Sequence, residues 1–168
     1  HGLTAVDMQQ IEALKQLGHV GIHEAASNST GVIRGKCNKP PFDDPRVRKA
    51  LRFATNVDGV ITGAVRGLGT VAEHHHVSPI HPEYALLPPM GHNPEEAKRL
   101  LADAGYGPDN PLEFELTCRA DKAWMVNAVT VMKEQWEESG INAELNIVPP
   151  ALWGELWNVA PVTYTSWG

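Results

Sequence analysis

Apolar residues recur along this chain with two different periods, and the switches between them mark out its elements. In TAVDMQQIEALKQLG (residues 4–18), Ile11, Leu14 and Leu17 share one helical face, with a Thr4/Asp7 start resembling a capping box and Gly18 as the stop. HVGIHEA and STGVIRGKC then alternate as strands do. PPFDDPRVRKAL follows. Asp44 suits an N-cap and Pro45 the first helical turn, where its missing N–H has no partner to lose. Val47, Ala50, Leu51 and Ala54 continue at helical spacing, and the tandem proline is expected to hold an extended entry that sets Phe42 beside the new helix.

VDGVITGAV (57–65) reads as a further helix, weakened by its glycines, before a long aperiodic, proline-rich stretch over 66–92. NPEEAKRLLADAGYG restores a helix with Asn93 as cap, Pro94 as first residue and Gly105 as end. PLEFELTC alternates, AWMVNAVTVMKEQWEESG is helical to Gly140, and INAELNIV alternates again. Such a strand–helix–strand unit places its two strands parallel in one sheet. PALWGELWN predicts a short helix and VTYTSW a last strand. The whole is an α+β chain: one domain over residues 1–168, with a mixed sheet and flanking helices.

Composition narrows the picture. The 168 residues carry 42% hydrophobic and 20% charged side chains, a globular balance. The net charge of −6, with both signs interleaved, offers no basic face to nucleic acid. No window approaches the ~20 apolar residues that cross a bilayer. Two cysteines are too few for a disulfide framework; Cys37 and Cys118 either pair or sit as small buried hydrophobes in their strand-like runs. No GxSxG, HExxH, Walker loop or supported Cys–His pair occurs, so nothing marks an enzyme, and no cofactor is expected. Glu134, Glu137 and Glu138 read as the solvated face of a helix.

PPFDDPRVRKAL, then NPEEAKRLLADAGY, then a strand–helix–strand unit ending in GINAELNIV form an ordered set. Together they resemble the family 5 extracellular solute-binding proteins of ABC importers, the group of dipeptide-, oligopeptide- and nickel-binding receptors. The resemblance runs from about Asp7 to Gly168. It implies a periplasmic-binding-protein-like II fold of the dipeptide-binding type, with two lobes closing over a solute. This chain would be most of the second lobe, a fragment whose Trp167-Gly168 matches the "WG" before the return to the first. It also implies a periplasmic location (or a lipid-anchored extracellular one in a Gram-positive source). The implied partners are the other lobe, an inner-membrane permease and a peptide or other carboxylate-bearing solute. Asp43, Asp44 and Arg48 are then expected to build the corner rather than touch solute.

Three residues are expected to carry binding. Arg119 follows a strand end and precedes a long helix, a place that faces clefts. In the dipeptide-binding branch an arginine near this point grips the peptide carboxylate, and the guanidinium fork suits that group; a structural pair with Asp121 is the plainer reading. Trp153 resembles the tryptophan of the family's short helix, and Trp167 the one before the return crossing. Rings at these places can line side-chain pockets, with core packing as the alternative. Trp124, Trp136 and Trp157 are left to core or helix surface. A second function class is a nickel or zinc module built on His74, His75 and His76 with His81, since neutral imidazole suits these ions; a solvated histidine loop is the plainer account.

Overall fold

The computed structural model describes residues 8–167 apart from 26, 28, 73–76, 78 and 80. In chain order the elements are α1 (Met8–Lys15), β1 (Thr30–Gly35), α2 (Pro45–Ala54), α3 (Val57–Val65), α4 (Pro94–Asp103), β2 (Leu112–Arg119), α5 (Ala123–Glu137), β3 (Ile141–Val148), α6 (Pro150–Leu156) and β4 (Val162–Trp167). The four strands form one mixed sheet ordered β1-β4-β2-β3. β2 runs parallel to both β3 and β4, while β1 pairs antiparallel with β4, Thr30 opposite Trp167 and Gly35 opposite Val162.

The α2 corner forms as its residues dictate. Asp44 accepts from the Arg46 backbone N–H at 2.8 Å, and Arg48 Nη1 donates to the carbonyls of Phe42 and Asp43 at 2.6 and 3.0 Å. Asp44 and Arg48 thus spend their side chains on the corner itself, and Asp43 contributes its carbonyl. The entry differs from the extended arm expected: the Pro40–Pro41 peptide is cis and the segment runs as turns. Phe42 is delivered to the core all the same, edge-on to Phe114 with ring centroids 5.2 Å apart.

The glycines of α3 are explained by its neighbour. A Cβ on Gly59 would lie 3.0 Å from Gln135 Nε2, and one on Gly63 2.6 Å from Val131 Cγ2, so α3 sits closer to α5 than side chains would permit. Gln135 uses that approach to clasp Asn56, accepting from its N–H at 2.9 Å and donating to its carbonyl at 3.2 Å. Trp136, on the same helix, is fully buried and donates Nε1–H to Thr55 Oγ1 at 2.8 Å.

Along β2, Leu112, Phe114, Leu116 and Cys118 point into the core that includes α2, α3, α4 and α5. Ile141, Ala143 and Leu145 of β3, with Val162 and Tyr164 of β4, complete that side. The parallel β2–α5–β3 unit is as the alternation predicts. Two expectations fail. HVGIHEA is not a strand; its alternation is real, with Val20 and Ile22 half-buried between exposed neighbours, but no sheet edge pairs with it. Cys37 is exposed in the turn after β1, whereas Cys118 is buried in β2, and both are free thiols. The proposed capping pair of Thr4 and Asp7 lies outside the described residues.

Candidate functional site

Alternation along each strand sends the remaining residues to the opposite side of the sheet. Glu113, Glu115, Thr117 and Arg119 of β2 point there, as do Asn146 of β3, Thr163, Thr165 and Trp167 of β4, and Arg34 of β1. This side mixes polar residues with Val32 and Val148; some of the polar groups bond to one another, while the buried Thr163 hydroxyl has no partner among the described residues. Glu115 Oε1 accepts from Asn146 Nδ2 at 2.9 Å and from Thr117 Oγ1 at 3.3 Å. Short helix α6 lies over part of it. Trp153 and Trp157, four residues apart, share one helical stripe.

The register fixes where the expected residues stand. Cys118 is opposite Tyr164 in the parallel β2–β4 pair, and Arg119 is opposite Val148 in the β2–β3 pair. Arg119 and Trp167 therefore emerge at the same end of the sheet, beyond the carboxyl ends of three parallel strands, and on the same side. The chain leaves β2 for α5 on the core side and leaves β3 for α6 on the other side. In open α/β sheets, ligand crevices form at such divergences, outside the carboxyl ends of the strands.

Trp167 is 43% exposed and meets Trp157 edge-on, ring centroids 6.5 Å apart. Trp157 also carries the Arg34 guanidinium over its ring at 4.6 Å, and Arg34 Nη2 donates to the Trp157 carbonyl. Trp153 is buried, outside the main hydrophobic core, so its place is under α6 rather than on an open wall. Arg119 makes the structural pair: Nε donates to Asp121 Oδ1 and Nη2 to Asp121 Oδ2, each at 2.6 Å. These two hydrogen bonds hold the Asp121 carboxyl below its usual range and push the guanidinium up in return.

Residues 2–168 match the family model described as bacterial extracellular solute-binding proteins, family 5 middle. The chain belongs to this family. Among its relatives, the periplasmic oligopeptide-binding protein OppA of Salmonella typhimurium is 32% identical over 114 residues, which are 64% of this chain and 21% of that protein. The oligopeptide-binding protein AppA of Bacillus subtilis, solved in complex with a nonapeptide, superposes over 95% of this chain and 35% of its own, with a TM-score of 0.82 at 21% identity. NikA of Staphylococcus aureus, solved in complex with Ni(L-His)2, superposes over 95% of this chain and 34% of its own, with a TM-score of 0.84 at 17% identity. The chain thus spans about a fifth of the OppA relative's length.

Family membership accounts for the mixed sheet with flanking helices, shared with the peptide-binding proteins, and for the ordered set of segments that carry it. The tryptophan stack on the open side of this family 5 sheet includes two residues that sequence reasoning passed over, Trp157 and Arg34. They lie 123 positions apart, and only the β1–β4 pairing brings them together. A spacing of four from Trp153 was the one available hint for Trp157. Of the histidine cluster, His74, His75 and His76 lie outside the described residues. His81 is half-buried in a turn, and no group of three or more metal-ligating side chains occurs among the described residues.

Proposed function

We propose that this chain is one lobe of a two-lobed receptor, which captures a peptide or another small carboxylate-bearing solute and passes it to an ABC permease. The observation that carries the reading is the open side of the sheet at its carboxyl end, where Arg119 and the exposed Trp167 face the same way and Trp157 backs the second ring. Large rings supply contact area with few rotors to freeze, and a guanidinium supplies a planar fork for a carboxylate. Family membership and the peptide-binding names of relatives support the solute class. Such a receptor works outside the cytoplasmic membrane. Its function is binding and delivery rather than catalysis.

A single wall cannot desolvate a solute. The partner lobe supplies the other, and a solute touching both stabilises the closed arrangement by the contacts it makes only there. Calorimetric titration of the whole receptor and of the 168-residue chain with the same tripeptide tests this. The receptor is expected to bind, the chain alone to bind at least about a hundredfold more weakly, and Trp167→Ala to weaken the receptor about tenfold. Comparable affinity in receptor and chain would overturn the two-wall reading.

A further inference from the structure

Asp121 is placed where stability does not explain it. It stands two residues beyond Arg119 in the turn from β2 to α5, which Ala120 N–H pins to the end of β3 by donating to the Val148 carbonyl at 2.8 Å. A short polar side chain at an N-cap turns to the free N–H groups of the first turn, and Asp121 stands one residue before that position. The N-cap of α5 is Lys122, which makes no side-chain cap, and both Asp121 oxygens face the guanidinium. The two side chains remain about a third exposed, at 30% and 34%, and a pair so open adds little to folding.

The geometry of the pair leaves something over. A guanidinium has five N–H groups: one on Nε and two on each Nη. Asp121 takes the side-on edge, Nε with Nη2. Nη1 makes no hydrogen bond among the described residues, so the end-on edge, one N–H from each Nη, stays open with its donors parallel. That edge fits a second carboxylate in the same bidentate manner. A solute carboxylate does not evict Asp121, whose tether of two residues keeps its effective concentration far above that of any free ligand.

We propose that Asp121 is a positioning residue which clamps Arg119 side-on, presents the guanidinium end-on to the solute, and makes the site selective for a singly charged carboxylate. The inference rests on the carboxylate-binding reading given above for Arg119. Selectivity follows from charge. The Arg119–Asp121 pair is neutral, so a monoanion leaves the site at −1, while a dianion such as phosphate leaves it at −2 against the same low-dielectric closure.

The test uses the whole receptor, with trialanine, its C-terminal amide and inorganic phosphate as probes in calorimetry. Asp121→Asn removes the clamp, which costs trialanine more than the released charge returns. Trialanine is therefore expected to weaken about fivefold and the amide to stay unchanged. The dianion phosphate, on which that charge acts twice as strongly, is expected to bind more tightly. Asp121→Glu is expected to restore most of the trialanine affinity, and Arg119→Lys, which has no fork, to restore none when compared with Arg119→Ala. A merely structural role would shift acid and amide alike, and that result overturns the proposal. So does tighter trialanine binding by Asp121→Asn, which would make Asp121 a competitor of the solute. If Arg119→Ala weakens trialanine while Asp121→Asn does not, the clamp alone falls. If Arg119→Ala changes nothing, the carboxylate reading falls, and the clamp with it.

Discussion

Leu116 and Thr117 are neighbours on β2, both closed to solvent, and they look onto opposite sides of the sheet. Behind Leu116 lies a continuous apolar core reaching Trp136, Met125 and Val129 on α5 and Val47 on α2. Behind Thr117 lies a thin cover, a seven-residue helix over hydrogen-bonded polar side chains and three tryptophans at different depths. The first side is built to stay shut. The second buries enough to hold its shape and leaves Trp167 and Arg119 in reach. One sheet thereby separates the hydrophobic core from the proposed binding side, and strand alternation draws the line between them.

That contrast can be broken experimentally. The largest effect is expected from tryptophan truncation. Trp136→Ala removes a fully buried ring and its bond to Thr55, and should cost about 3–5 kcal/mol in denaturant unfolding, whereas Trp157→Ala on the thin side should cost under about 1.5 kcal/mol. Equal costs would mean that the two sides share one core.

A smaller effect is expected from alkali. Burial pushes the Cys118 thiol up from 9.0 to about 11, and burial raises the Tyr164 hydroxyl as well. Both groups face the core side. The native state then keeps protons that the unfolded chain releases, so stability is fully present below about pH 9 and declines as pH rises. The thiol's share of that loss is on the order of 2 kcal/mol by pH 11, and Cys118→Ala should flatten the profile. A stability flat to pH 11 in the unmodified chain would contradict the sealing of that side.

The smallest effect concerns the other thiol. Cys37 is exposed, so iodoacetamide at pH 8 should label it while sparing Cys118, with no change in unfolding midpoint. Mass spectrometry reads the site. Labelling of Cys118 in the native state at a similar rate would show that the core side opens easily.

Local chemistry was legible wherever an element is decided by neighbours in sequence. The helix over Val57–Val65, the Asp44 and Asn93 caps, and the β2–α5–β3 unit all follow from spacings within a few residues. The strand expected at HVGIHEA shows the limit. Alternation states only that one side is apolar, and a strand also needs a partner edge, which the sheet does not give to residues 19–25. Cys37 fails for a related reason, since β1 ends at Gly35 and the chain turns outward before the thiol. At the candidate site, Arg119 and Trp167 were found through the resemblance to the family. Trp157 and Arg34 were not, because their value lies in touching each other.

What the sequence determined by itself was the set of pieces: which segments are helices or strands, where they are capped, and which side of each is apolar. Those properties depend on short-range sterics, caps and periodicity, all written within a turn or two of the chain. The tertiary structure alone decided that β4 lies between β1 and β2, that α6 crosses the side away from α5, and that Arg34 meets Trp157. Contacts between residues over a hundred positions apart are selected by how the whole core closes, and no local window of sequence contains that information.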